Sequence, residues 1–108
     1  MDTMDTVYNR IFSVIEEEAN IGGWWLDTKT NEVGWTNGTR RIHDVPEDFT
    51  PSLDQAIHFY LPEYQKVIAD AVNDAIGNNT PFNIDAKIKT AKGLTKWVNA
   101  YGIFKFKE

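Results

Sequence analysis

The sequence predicts an α+β domain built on an antiparallel sheet. Apolar residues recur at three- and four-residue steps over 4–19 and again over 62–77, which is the period of a helix with one buried face. They alternate with polar residues over 24–36 and over 82–106, which is the period of a half-buried strand. Strand signals therefore fall in two groups toward the ends of the chain, with helical signals between them. That order suits an antiparallel α+β layer rather than the regular strand–helix alternation of a parallel sheet.

The first helix carries Met4, Tyr8, Ile11 and Ile15 on one seam, with Val7, Phe12 and Val14 widening it. Asp5 and Thr6 are positioned to cap its start. Glu16, Glu17 and Glu18 oppose the helix dipole at its carboxyl end, which predicts a frayed last turn. Asn20-Ile21-Gly22-Gly23 then breaks the pattern. Trp24 and Leu26 alternate onto the same face as Val33 and Trp35, with Asp27-Thr28-Lys29-Thr30-Asn31 as the turn of a hairpin. Asn37-Gly38 ends the second strand, and Thr39 to Val45 is a short helical piece closed by Pro46. Ser52 and Gln55 form a capping box at the head of another short helix bearing Leu53, Ala56, Ile57 and Tyr60.

Pro62 opens the best helix, a favoured first-turn position. Tyr64, Val67, Ile68, Ala71, Val72, Ala75 and Ile76 form its apolar stripe, and Gly77 is its expected left-handed cap. After the loop Asn78 to Pro81, Phe82, Ile84, Ala86 and Ile88 alternate with Asn83, Asp85, Lys87 and Lys89. Ala91-Lys92-Gly93 is a turn, and 94–106 is a second long strand. On that strand Trp97, Asn99 and Tyr101 share one face and Val98 and Ala100 the other; the pattern leaves open which face points inward.

Composition limits the function classes. A chain of 108 residues with 42% hydrophobic and 25% charged residues is sized and balanced for one globular domain. A formal charge of −5 with no basic cluster argues against nucleic acid as a partner. Zero cysteines exclude disulfides, thiolate metal sites and cysteine nucleophiles. No apolar run approaches the roughly 20 residues of a spanning helix, and the acidic start lacks a signal-peptide core. The expectation is a cytoplasmic segment without membrane contact, or the cytosolic part of a membrane-anchored sensor.

Several stretches together resemble a PAS domain of the branch with a Trp-rich first strand. They are Ile21-Gly22-Gly23-Trp24-Trp25-Leu26-Asp27, Glu32-Val33-Gly34-Trp35-Thr36, Arg41-Ile42-His43-Asp44-Val45-Pro46-Glu47-Asp48-Phe49, Pro81-Phe82-Asn83-Ile84-Asp85 and Gly93-Leu94-Thr95-Lys96-Trp97-Val98. The resemblance covers roughly residues 20–102 and rests on the ordered set, since no single stretch is specific. It implies a five-stranded antiparallel sheet with helices on one face enclosing a small pocket. It also implies a sensory and dimerisation role in bacterial signal transduction, as in histidine kinases and diguanylate cyclases, with catalysis outside this segment. The chain departs from the family at Leu61-Pro62, where a histidine often precedes the proline, at His43, where an apolar residue is usual, and at Ala86, where an aromatic is common. It also reaches Glu108 with no residues for the family's fifth strand. The expected division is an N-terminal helix over 1–19 and a PAS-like domain over 20–108, cut before its final strand.

The resemblance places Trp24, Leu26, Trp35, Ile42, His43, Phe59, Ile68, Val72, Ile84 and Ala86 around the pocket. Trp24 and Trp35 are either core or pocket wall. Ala86, small on an inward strand position, either meets a bulky neighbour or leaves a void. Tyr8, Ile11, Phe12 and Ile15 either cover the sheet of their own domain or pack on the same helix of a second copy, making a homodimer. No cofactor is expected. A haem would need His43 or His58 as axial ligand; a non-covalent flavin is the other minor alternative, since cysteine-adduct photochemistry has no cysteine. The scattered carboxylates show no acid–base or metal spacing, and Gly22-Gly23 lacks the rest of a phosphate loop, so the segment is not expected to be an enzyme. Two functions stay open: a sensor that binds an unidentified small molecule and signals to an output domain in the same longer chain, and a structural dimerisation domain with a filled core. The absent strand predicts open edges on the first and fourth strands, met by a partner chain, by residues 103–108, or by distortion.

Overall fold

The computed structural model describes residues 4–30 and 32–102. The element order is α1 (Met4–Ala19), β1 (Trp24–Asp27), β2 (Glu32–Trp35), α2 (Asn37–His43), α3 (Leu53–His58), α4 (Pro62–Asn78), β3 (Phe82–Lys89) and β4 (Thr95–Gly102). The α+β class and the element order agree with the sequence. The strands, however, form two separate antiparallel pairs among the described residues, β1 with β2 and β3 with β4, in place of one continuous sheet. The expected continuation of the last strand through 103–106 lies outside the described residues, as do Asn31 of the hairpin turn and the side chain of Asp5.

Hairpin chemistry sets the first pair. The Asp27 carboxylate accepts the backbone N–H of Lys29 at 2.9 Å, an Asx turn that reverses the chain. Register then puts Trp24 opposite Trp35 and Leu26 opposite Val33, all on the inner face. In the second pair Phe82 faces Gly102, Ile84 faces Ala100 and Ala86 faces Val98. Gly93, at φ +83°, supplies the left-handed residue of the intervening turn.

The core lies between α4 and the inner face of β3. Ile68, Val72 and Ala86 are buried together, with Leu26, Leu53, Ile57, Tyr60 and Ile84 packed around them. Burying each large aliphatic chain stabilises the fold by about 1.5–3 kcal/mol. Tyr60 bridges to Ile88, and the Lys89 N–H donates to the Phe59 carbonyl at 2.8 Å, so the chain after α3 covers the outer edge of β3.

Four expectations are corrected. Asn37-Gly38 begins α2 instead of ending β2, and the helix stops at Asp44, which takes a left-handed conformation. Gly77 is a helical residue; α4 runs to Asn78 and its left-handed cap is Asn79 at φ 53°. Val67 is exposed, because α4 buries only its Ile68–Val72–Ala75 stripe. The end of α1 is anchored, not frayed. Asn20 adopts φ 55° and the Ile21 N–H returns to the Glu16 carbonyl at 3.0 Å. The capping box is present as expected: Gln55 N–H donates to Ser52 Oγ at 3.1 Å and Ser52 N–H to Gln55 Oε1 at 2.9 Å.

Candidate functional site

Among the described residues the two strand pairs share no ladder hydrogen bonds. Between the free side of β1 and the free side of β4 lies a groove of about 770 Å³. Trp24 and Leu26 line one wall; Lys96, Val98, Ala100 and Gly102 line the other; Thr39, Ile42, His43 and Tyr60 also border it. Residues of both β4 faces border it. Val98 and Ala100 are its half-buried members, and Trp97, Asn99 and Tyr101 its exposed ones. At one end the walls converge: a Cβ on Gly102 would lie 2.9 Å from the Trp24 ring.

His43 is the polar residue most firmly set at this groove. It stacks on Trp35 at 4.2 Å and meets the edge of Phe59 at 4.9 Å. Its Nδ1 lies 2.8 Å from the Thr39 carbonyl, which only accepts, so Nδ1 carries the proton and Nε2 is the lone-pair nitrogen. Burial lowers its pKa below the ordinary imidazole value of 6.5; nearby Lys96 adds to this, against the Thr39 bond and Asp44. The buried side chain is therefore neutral at physiological pH. Lys96 Nζ donates to the Ile42 carbonyl at 3.1 Å and sits 3.9 Å from Asp44 Oδ2. Burial also raises the pKa of Tyr60, keeping its phenol protonated.

A second polar centre holds one end of the groove in place. Glu16 is only 2% exposed. Its Oε2 accepts the Gly23 N–H at 3.1 Å and the Thr36 hydroxyl. The Gly23 carbonyl in turn accepts the Thr39 hydroxyl at 2.8 Å and the Thr36 N–H at 3.0 Å. Gly38 permits this approach, since a Cβ there would sit 2.0 Å from the Ile21 carbonyl oxygen and 2.9 Å from the Glu16 carboxyl. One acid thus ties α1, the start of β1 and the head of α2.

Of the residues expected at a pocket, Trp24, Leu26, Ile42 and His43 line the groove. Ile68, Val72 and Ala86 instead form the packed core, with Ile84 against it. Ala86 meets bulky neighbours; it leaves no void there. Trp35 and Phe59 belong to an aromatic cluster with His43 and Phe49. Thr39, Tyr60, Lys96, Val98 and Ala100 also border the groove, and no local sequence signal marks the first three. Glu16 is buried although its sequence setting, a run of three glutamates, is that of a solvated surface. Tyr8, Ile11, Phe12 and Ile15 are all exposed, so their stripe does not cover the described sheets. His58 is exposed, its Nδ1 bonded to the Asp54 carbonyl at 2.6 Å. Among the described residues no cluster of three or more metal-ligating side chains occurs, and no helix is long and apolar enough to cross a membrane.

Comparison with known proteins adds a family. Residues 32–107 match a family model described as the PAS fold. Among solved structures, the chain is similar to the PAS domain of a GGDEF family protein from Chromobacterium violaceum, with 15% identity, a TM-score of 0.48, and coverage of 81% of this chain and 82% of that one. No curated protein matches the sequence.

Proposed function

The chain belongs to the PAS-fold family, and from that premise we propose that it is a sensory module whose signal is read at the groove between β1 and β4. The observation that supports this reading is the groove itself, a concave space whose lining mixes apolar side chains with polar ones such as Thr39, His43, Tyr60 and Lys96. Leu26, Ile42, Val98 and Ala100 suit an apolar body. The lone-pair Nε2 of His43 and the Tyr60 hydroxyl suit one or two hydrogen bonds that orient it. Occupancy would bias the packing of the two strand pairs, and so the state passed to a kinase or cyclase output domain. The role proposed is regulatory, in the cytoplasm, with the chemistry performed elsewhere.

Native mass spectrometry of protein purified from cells tests this. A small molecule should be retained, and Ala100→Trp, which fills the groove, should lose it. Repeated preparations carrying no bound mass would remove the sensory reading.

One observation favours a second reading, a structural dimerisation module. Met4, Tyr8, Ile11 and Ile15 occupy alternating three- and four-residue steps of α1, the spacing of a coiled-coil seam, and all four are exposed. Under this reading Tyr8, Ile11, Phe12 and Ile15 meet the same helix of a second copy.

A further inference from the structure

α1 packs against α2, and among its described side chains only Glu16 is buried. From that carboxylate an unbroken line of hydrogen bonds runs to His43. Glu16 Oε2 accepts the Gly23 N–H at 3.1 Å and the Thr36 hydroxyl. The Gly23 carbonyl accepts the Thr39 hydroxyl at 2.8 Å, and the Thr39 carbonyl accepts the His43 Nδ1–H at 2.8 Å. Glu16, Thr39 and His43 are all buried. A link that breaks therefore leaves a polar group with no water to replace its partner, which is costly. Bonds in such a line also strengthen one another.

The line is stiff. A Cβ on Gly22 would lie 2.1 Å from the Thr39 nitrogen, and one on Gly38 would lie 2.0 Å from the Ile21 carbonyl oxygen. Backbone rests on backbone where residues 21–23 meet the head of α2. No flexible side chain lies between them to absorb a displacement.

We propose that Glu16 is a positioning residue for His43, so that the seating of α1 and the placement of the histidine at the groove change together. A tilt of α1 that draws Glu16 away removes the acceptor of Gly23 and Thr36. The Gly23 carbonyl that holds Thr39 then shifts, and the Thr39 carbonyl releases the His43 Nδ1–H. In the other direction a contact made at His43 Nε2 is felt at α1, because coupling between two sites is reciprocal. The use of this coupling in signalling rests on the groove reading proposed above. The coupling itself needs no ligand, so its failure is distinct from the failure to find a bound mass.

The chain holds two histidines. His58, on α3 with its Nδ1 on the Asp54 carbonyl, lies off the line and serves as an internal control. Ring nitrogen chemical shifts of both are read by NMR on the full chain, without ligand, at a pH above the imidazole range. His43 should show one tautomer, with the proton on Nδ1. Glu16→Ala should shift His43 toward a mixture of tautomers and leave His58 unmoved. Glu16→Gln, which keeps an oxygen acceptor, should retain the signal of the unmodified chain. Thr39→Val cuts the line between its two ends, so adding Glu16→Ala to it should move His43 no further. From the opposite end, His43→Phe should quicken amide exchange at Ile21 and Gly23 several-fold. A His43 signal unmoved by Glu16→Ala would overturn the coupling. So would a His58 shift of equal size, which marks general loosening, an undiminished effect in the Thr39→Val background, or unchanged exchange in His43→Phe. Where Glu16→Ala does not fold, Thr36→Val, which removes the hydroxyl bonded to Glu16, carries the same expectations.

Discussion

His43 shows how a single ring couples packing to pH. It is held between Trp35 and Phe59, and burial keeps its pKa under 6.5. In the unfolded chain the imidazole regains the ordinary value. As pH falls through 6.5 the unfolded state takes up the proton first, so this residue's contribution is complete above 6.5 and is lost as pH drops toward the folded value. The urea midpoint should therefore fall between about pH 7.5 and about pH 5.5. His43→Phe keeps a ring in the stack, and its midpoint should fall less over that range. An equal fall in both proteins would assign the acid sensitivity to other groups. Gly77 makes a second point at this scale. It lies inside α4 with open space where a Cβ would go, so Gly77→Ala should stabilise the chain by about 0.4–1 kcal/mol in thermal unfolding. A left-handed cap at that position would give the opposite sign.

Elements are joined here by side chains that a pattern reading treats as surface. Three consecutive glutamates at the end of α1 look like a solvated run, and two of them are; Glu16 is buried because Thr36 and Gly23 come to it from the hairpin. Removing the acid leaves the Thr36 hydroxyl only the Gly23 carbonyl, at 3.3 Å, and opens a gap beside Gly38. Glu16→Ala should cost about 1–3 kcal/mol of stability by chemical denaturation, and hydrogen exchange should quicken in both α1 and the start of α2. A loss confined to α1 would show that the acid serves only its own helix. The short helices were the least legible elements for a related reason. Asn37-Gly38 has the composition of a turn, yet Gly38 is required in α2 by the close approach of Ile21, a contact that no local signal announces. Longer elements with full periods, such as α4 and β3, were legible almost to their ends.

In the whole molecule the two strand pairs flank a groove whose walls are set by packing. Helical and strand periods decided the element types and the inward faces of β2 and β3, because each depends on residues a few positions apart. Packing alone decided that the strands form two pairs, that Val98 and Ala100 face the groove, that Ala86 is filled by α4, and that Glu16 is buried. Those outcomes rest on contacts between distant positions, such as Lys96 with Ile42, which are 54 residues apart, and Thr36 with Glu16, which are 20 apart. A period of two or of 3.6 residues carries no information over such distances; only closure of the chain brings those groups within reach of a hydrogen bond.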